Sequence, residues 1–232
     1  MIRREEQKRR LRMTDQKKDR GLLVILSGFS GAGKGTVIRE LMNRYDQYAL
    51  SVSATTRKPR PGEKEGVNYF FKTEEEFNAM VERGELLEHA RYVDHAYGTP
   101  AAYVDEQLSA GKDVILEIEI QGALRVKEKR PDAVLIFLTP PSAEELKRRL
   151  TGRGTETEEV ISARMKRAAE EARGMDRYDY ILVNDDLDTC VEDLHQLIRS
   201  QHCLSSHRKE LIHEIRQELV SLNEALATDK EN

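Results

Sequence analysis

Residues 28–36 read GFSGAGKGT and follow the apolar run LLVIL. The spacing Gly28-x4-Gly33-Lys34, after a buried-type strand and before a helical pattern, is the signature of a loop that cradles phosphate. Its glycines let the backbone curl so that several amides face one point, and the helix that follows adds the positive end of its dipole. Lys34 supplies a full charge for the terminal phosphates. Where a hydroxyl normally follows the lysine to touch magnesium, the chain has Gly35, and Thr36 stands one place late. Either Thr36 serves a phosphate oxygen, or magnesium is held mostly by water and nucleotide oxygens, which the ion tolerates.

Two further clusters could meet negative charge. In SVSATTRKPRPGE, Arg57 and Arg60 are three residues apart beside hydroxyls. Planar guanidiniums so placed suit a dianionic phosphate, and Tyr69 can add a hydroxyl. In LTGRGTETEEVISAR, Arg149 and Arg153 fall about one helical turn apart, with Arg164 further along. Gly152 and Gly154 give this stretch hinge-like freedom. Its arginines could then close onto the charge that spreads over a phosphoryl group in transfer.

The elements that must position these groups follow from periodicity. Leu22 to Leu26 is a continuous apolar run, suited to a strand buried on both faces, and Val37, Ile38, Leu41 and Met42 then recur at helical spacing. Tyr48 to Ser53 predicts a short strand, NYFF an extended segment, ELLEHARYV a strand and YGTP a turn. Thr73 with Glu76 gives a capping box. Val114 to Ile120 alternates into Glu117 and Glu119, so its acidic end reaches solvent or a site. Ala133 to Leu138 is a further buried-type strand, and Ser142 caps the helix after it. Thr155 with Glu158 is expected to cap a long helix through about Ala172. Tyr180 to Val183 makes a last strand, followed by a helix from about Asp188. Alternation of strands and helices implies an α/β fold on a central parallel sheet. Residues 53 to about 98 break the alternation with a different texture, as an inserted small lobe would.

The bulk properties narrow the classes. The chain has 232 residues, 34% charged and 38% apolar, with a net charge of -4. That reads as soluble and globular, without the cationic field that would draw it onto nucleic acid, so no nucleic-acid partner is expected. No apolar stretch approaches the roughly 18 residues of a membrane span. Cys190 and Cys203 are the only cysteines, too few for a disulfide framework and without a CxxC zinc pair, which fits a reducing cytoplasm. The first 20 residues hold nine basic and four acidic side chains and no apolar signal region, so a disordered tail is expected, and Met13 could serve as an alternative start. Near the other end, Ile212, Ile215, Leu219, Leu222 and Leu226 follow the 3, 4, 3, 4 spacing of a heptad seam. That seam suits either packing on its own domain or self-association through residues 207–226.

From Gly21 to about Ile198 the chain resembles guanylate kinases, which make GDP from GMP and ATP. The segments SGFSGAGKGT, SVSATTRKPRPGE, YFF, LLEHARYV, YGTP, LEIEIQGA, FLTPPS, GRGTE and VNDDLD carry the resemblance in family order. It implies a phosphate-loop NTPase core, an inserted GMP-binding lobe and a mobile lid, with ATP and GMP as substrates and Mg2+ accompanying ATP. The implied organisation is a tail over 1–20, a catalytic domain over 21–206 and a C-terminal amphipathic helix and tail over 207–232. Within the catalytic domain the core covers 21–52 and 104–206, the GMP lobe 53–103 and the lid about 149–172. The implied reaction is in-line phosphorylation of GMP, and of dGMP, in a closed two-lobe site.

The resemblance also distributes roles. Gly28, Phe29, Ser30, Gly31, Ala32, Gly33, Lys34, Gly35 and Thr36 would hold the ATP phosphates, with Asn184 on the adenine side. Ser53, Glu88, Thr99 and Glu119 would read guanine. A buried carboxylate pairs with guanine's donors and would be left poorly paired by adenine. Arg57, Arg60, Tyr69 and Tyr97 would grip the GMP phosphate. Lys34, Arg149, Arg153 and Arg164 would stabilise the transition state, and Glu117 or Glu119 could orient hydrated magnesium. The family usually has Pro where Phe29 stands, and the Phe29 ring is expected to point away from the phosphates. Two other classes are weaker. A catalytically dead scaffold of the same fold would be expected to lose the loop lysine or lid arginines, and a kinase for another phosphorylated acceptor would not need Glu88 with Thr99.

Overall fold

The computed structural model of the chain describes residues 20–92, 94–152 and 157–228. The apolar run after Gly21 forms β1 (Leu23–Gly28), where Val24, Ile25 and Leu26 are fully buried. Both of its faces are covered because it lies in the middle of a parallel sheet. Its neighbours are β7 (Asp113–Glu117) and β8 (Val134–Thr139), and β2 (Tyr48–Leu50) and β9 (Tyr180–Val183) form the edges, in the order β2-β7-β1-β8-β9. Every pairing in this sheet is parallel. The carboxyl ends of β1 and β7 therefore open on the same side, where ligands of open α/β sheets bind.

Helix α1 (Lys34–Arg44) leaves β1 through the glycine loop and buries Val37, Ile38 and Leu41, whereas Met42 is 37% exposed at the margin of that face. Helix α2 (Glu74–Glu82) begins with the expected capping box of Thr73 and Glu76. The second sheet has the order β4-β3-β6-β5 and is built from β3 (Ala54–Thr55), β4 (Phe70–Phe71), β5 (Leu86–Tyr92) and β6 (His95–Pro100). Its own small core is Ala54, Phe77, Leu86 and Ala96, with Phe70, Met80 and Val81 packed against it. A separate core and a mixed sheet account for the change of texture after residue 53.

Several local expectations are corrected. YGTP is not a turn: Tyr97–Pro100 belongs to β6, paired antiparallel with β3 and β5. Gly98 marks close packing there, since a Cβ would stand 2.8 Å from the Leu86 side chain. The strand expected to run to Ile120 stops at Glu117, and Glu119 is instead the N-cap residue of α4 (Ile120–Lys129). The second strand ends at Leu50 rather than Ser53. Helices α3 (Ala101–Ser109) and α4 are further elements, beyond those that periodicity predicts. Ser142 caps α5 (Ala143–Thr151) by accepting from the Glu145 amide. Helix α6 (Glu158–Ala172) is capped by Thr157, the residue next to it, while Thr155 and Arg153 lie outside the described residues.

The chain divides into two compact units between Val191 and Glu192, within α7 (Leu187–Gln201). The second unit continues through a single-turn helix at Ser205–His207 into α8 (Lys209–Thr228). The connection is held locally, with His207 Nδ1 2.8 Å from the Gln201 carbonyl and Arg208 Nε donating to the His202 carbonyl at 2.8 Å.

Candidate active site

The loop between β1 and α1 is shaped by its glycines. Gly33 is the N-cap residue of α1 at φ 95°, a conformation that favours glycine, and a Cβ on it would stand 2.6 Å from Asn184 Nδ2. Having no side chain, Gly33 leaves the first amides of α1 uncapped by a side-chain oxygen, which keeps that helix end available to an anion. Lys34 folds back over the loop and donates to the carbonyls of Gly28 at 2.8 Å and Phe29 at 3.2 Å. Burial lowers its pKa from the usual 10.5, and Glu117 opposes that shift. The Phe29 ring is buried and meets Phe137 edge-on with centroids 4.9 Å apart. It is thus anchored in the apolar interior below the loop, away from the exposed Ser30 side.

Two clefts open around Lys34. One, of about 390 Å³, is lined by Ser30, Gly33, Gly35, Thr36, Arg39 and Glu117 as well as Lys34. The other, of about 590 Å³, joins Lys34, Glu117 and Glu119 to Tyr69 and Tyr92 of the small lobe and to Arg164 and Arg167 of α6. The bend carrying both carboxylates is tied to β1, because Ser27 Oγ donates to the Ile118 carbonyl at 2.7 Å.

Among the described residues, no group of three or more His, Cys, Asp or Glu could hold a metal by itself. What the first cleft offers is one carboxylate, Glu117, whose Oε2 is 4.0 Å from where a Gly35 Cβ would stand, and the Ser30 and Thr36 hydroxyls. That sparse oxygen set fits Mg2+, which keeps water and phosphate oxygens, and not an ion that needs a protein cage.

The small lobe holds its polar groups by side-chain pairing. Thr99, fully buried, donates to Glu88 Oε1 at 2.8 Å, and Glu88 is only 6% exposed. Burial raises the Glu88 pKa above the usual 4.5, with Thr99 and then Arg125 pulling the other way. Arg125 Nη2 lies 4.0 Å from Glu88 Oε2. Arg57 donates to both carboxylate oxygens of Glu63 at 2.8 and 2.9 Å, and its guanidinium stands 5.2 Å from the Tyr69 ring centre. Tyr69 and Tyr97 meet edge-on at 6.1 Å. The Arg60 side chain is exposed, and its backbone amide also donates to Glu63, at 2.7 Å. Ser53 is half-buried at the start of the lobe, where its carbonyl accepts from Phe70.

The arginines expected to act together are placed differently. Arg164 faces the larger cleft and donates to Ser30 Oγ at 3.3 Å. Arg149 instead braces the back of the loop, donating to the Asn184 carbonyl at 2.9 Å and to Glu145 at 2.7 Å. Asn184 is buried and donates to the Ala32 carbonyl at 2.8 Å, so loop, Asn184 and Arg149 form one linked unit. Glu145, held down to about 2 by Arg148 and then Arg149, is the anion of that unit.

Sequence reasoning missed Glu63, Arg125 and Arg167. Arg167 lies one helical turn beyond Arg164, pairs with Glu171 at 2.9 Å and Glu119 at 3.4 Å, and lines the same cleft. The i, i+3 spacing from Arg164 was the one available signal, and it applies to Arg167 only once the facing wall is known.

A central parallel sheet running into a phosphate loop, with a second lobe across the cleft, defines a phosphate-loop nucleotide-binding protein. The guanylate kinase family model matches residues 20–201. The guanylate kinase of Halalkalibacterium halodurans is 52% identical over 198 residues, covering 85% of this chain and 97% of its own. That of Caldanaerobacter subterraneus is 50% identical over 203 residues, covering 88% and 98%. Among solved structures, guanylate kinase from Anaplasma phagocytophilum matches with a TM-score of 0.63 at 33% identity, over 81% of this chain and 89% of that one. The chain belongs to the guanylate kinase family, which phosphorylates GMP to GDP using ATP.

Proposed function

We propose that the larger cleft is where the γ-phosphoryl group passes from ATP to GMP, in line, between the phosphate loop and the small lobe. The observation that carries this reading is the single cleft joining Lys34 to Tyr69 and Arg164. Loop amides and Lys34 hold the ATP phosphates, and Asn184 marks the adenine side. Arg57, Arg60, Tyr69 and Tyr97 hold the GMP phosphate. Ser53, Glu88, Thr99 and Glu119 read guanine. The acceptor is already a phosphate oxygen, so no general base of unusual pKa is required, and positioning with charge neutralisation carries the rate.

In this reading residues 149 to about 172 act as a lid, bringing Arg153 and Arg164 onto the transferring group while Arg149 secures the loop. Arg167 travels with Arg164 on α6 and exchanges its carboxylate partners for phosphate oxygens. Glu117 or Glu119, acting through bound water, would orient Mg2+ beside the nucleotide, with Thr36 left to a phosphate oxygen. When bound, the ion neutralises charge on the β- and γ-phosphates. The catalytic domain is assigned to 21–206, with 53–103 as the GMP lobe. The base and phosphate are gripped and no group is assigned to the 2′-hydroxyl, so dGMP is accepted as well. The two unbridged cysteines suit a reducing cytoplasm. The test is a coupled assay of ADP release with GMP, dGMP, AMP, UMP and CMP. Comparable use of GMP and dGMP with little turnover of the others is expected, and AMP turnover equal to GMP would sink the guanine assignment.

A further inference from the structure

The last helix lies outside the matched family region, which ends at residue 201. Helix α8 is 20 residues long, about 30 Å. In proteins most helical stability comes from packing of an amphipathic face rather than from propensity, so an amphipathic α8 calls for a covered face. Its seam is open: Ile215, Leu219, Leu222 and Leu226 are 46%, 55%, 60% and 60% exposed, and Leu211 beside them is 46% exposed. From Ile212 to Leu226 every seam position is a large aliphatic.

We infer that this seam pairs with the same seam of a second copy of the chain, in antiparallel orientation. A 3, 4, 3, 4 stripe is self-complementary, because each knob meets a hole made by an identical helix. Orientation follows from charge. Residues 208–217 carry Arg208, Lys209 and Arg216 against Glu210 and Glu214, whereas residues 218–228 carry Glu218 and Glu224 and no base. Antiparallel pairing lays the basic half of one helix along the acidic half of the other and opposes the two helix dipoles. Parallel pairing would stack acid on acid. Centred on Leu219, the arrangement sets Ile212 of one copy against Leu226 of the other, and brings Ile215 within one residue of facing Leu222. Two helices of this length bury less than the roughly 1,200 Å² of a standard interface, so the dimer forms reversibly with concentration.

Sedimentation equilibrium of the full chain across micromolar concentrations tests this. The mass should rise toward twice the 26.6 kDa of one chain. Leu219→Glu with Leu222→Glu should return it to one chain with GMP turnover per chain unchanged. In a Cys203→Ser background, chains with Ile212→Cys should cross-link to chains with Leu226→Cys and not to themselves. A chain that stays monomeric, or a dimer that survives the double substitution, overturns the proposal. So does a monomer whose thermal unfolding the double substitution lowers, since the seam then packs on its own chain. Self-linking of either cysteine variant overturns the antiparallel orientation.

Discussion

The phosphate loop and the lobe that faces it position their polar groups by different means. The loop uses backbone: a buried apolar strand, glycines in conformations that favour them, and a helix start without a side-chain cap. The lobe uses side chains that hold one another: Thr99 on Glu88, Glu63 on Arg57, and Tyr69 against Tyr97. Backbone positioning is written in a few adjacent residues. Side-chain positioning depends on strands that meet only after folding. Under the proposed function, the loop would serve the phosphates of any nucleotide and selectivity would rest with the lobe.

Substitutions can separate the two regions. The largest effect is expected for Lys34→Ala, which removes the one full charge in the loop and should lower kcat on the order of 10³-fold or more. GMP binding, measured by calorimetry without ATP, should stay close to normal. A near-normal kcat would break the division of labour.

Glu88→Gln should act on selectivity, lowering kcat/KM for GMP by on the order of 10²-fold or more while ATP affinity holds. Its pH behaviour sharpens the point. Burial raises the Glu88 pKa, so folding shifts it toward the protonated acid, whereas the proposed pairing with guanine's donors uses the carboxylate. GMP affinity should accordingly gain from rising pH in the window above 4.5, and that gain should vanish in Glu88→Gln. Stability runs the other way. A carboxyl with a raised folded pKa stabilises the fold relatively at low pH and loses that contribution as pH rises through the folded value. At pH 7 to 8 Glu88→Gln should thus melt no lower than the wild type, a sign that the carboxylate is kept for GMP. A clear drop in melting temperature would make Glu88 a structural residue.

Glu63→Gln should be milder. The Arg57 guanidinium loses its charged anchor but not its place over Tyr69, so KM for GMP should rise roughly 10-fold with kcat little changed. An unchanged KM would show that Glu63 does not preset the GMP-phosphate grip. The smallest effect belongs to Gly35→Ser. Gly35 needs no positive φ, and its Cβ would have only Glu117 Oε2 within reach, at 4.0 Å. Turnover should stay within about twofold, and the concentration of Mg2+ for half-maximal rate should not rise. A large loss would mean that the loop requires glycine there for backbone approach.

Much of the fold was legible because local chemistry dictates it. The apolar strands β1 and β8, the capping box at Thr73 and the cap at Ser142 follow from residue type and spacing alone. Misreadings fell where neighbours decide. YGTP carries turn residues, yet strands on both sides pair with it. Glu119 continues an alternating pattern, yet the chain leaves the sheet after Glu117 and turns into α4. Spacing also does not tell where Arg149 and Arg164 go: Arg149 donates to the Asn184 carbonyl and Glu145, whereas Arg164 lines the cleft and donates to Ser30.

By itself, the sequence determined a phosphate loop after a buried strand, an alternating α/β core with an interrupting lobe, and an amphipathic last helix. Those features depend on interactions within a few residues, so nearby spacing specifies them. Tertiary structure alone decided that Glu63 holds Arg57, that Arg125 approaches Glu88, that Arg167 shares the cleft with Lys34, and that the Phe29 ring rests on Phe137. Most of these contacts join residues far apart in the chain. Charge placement and burial, which set what each group can do, come into being only when the two sheets bring them together.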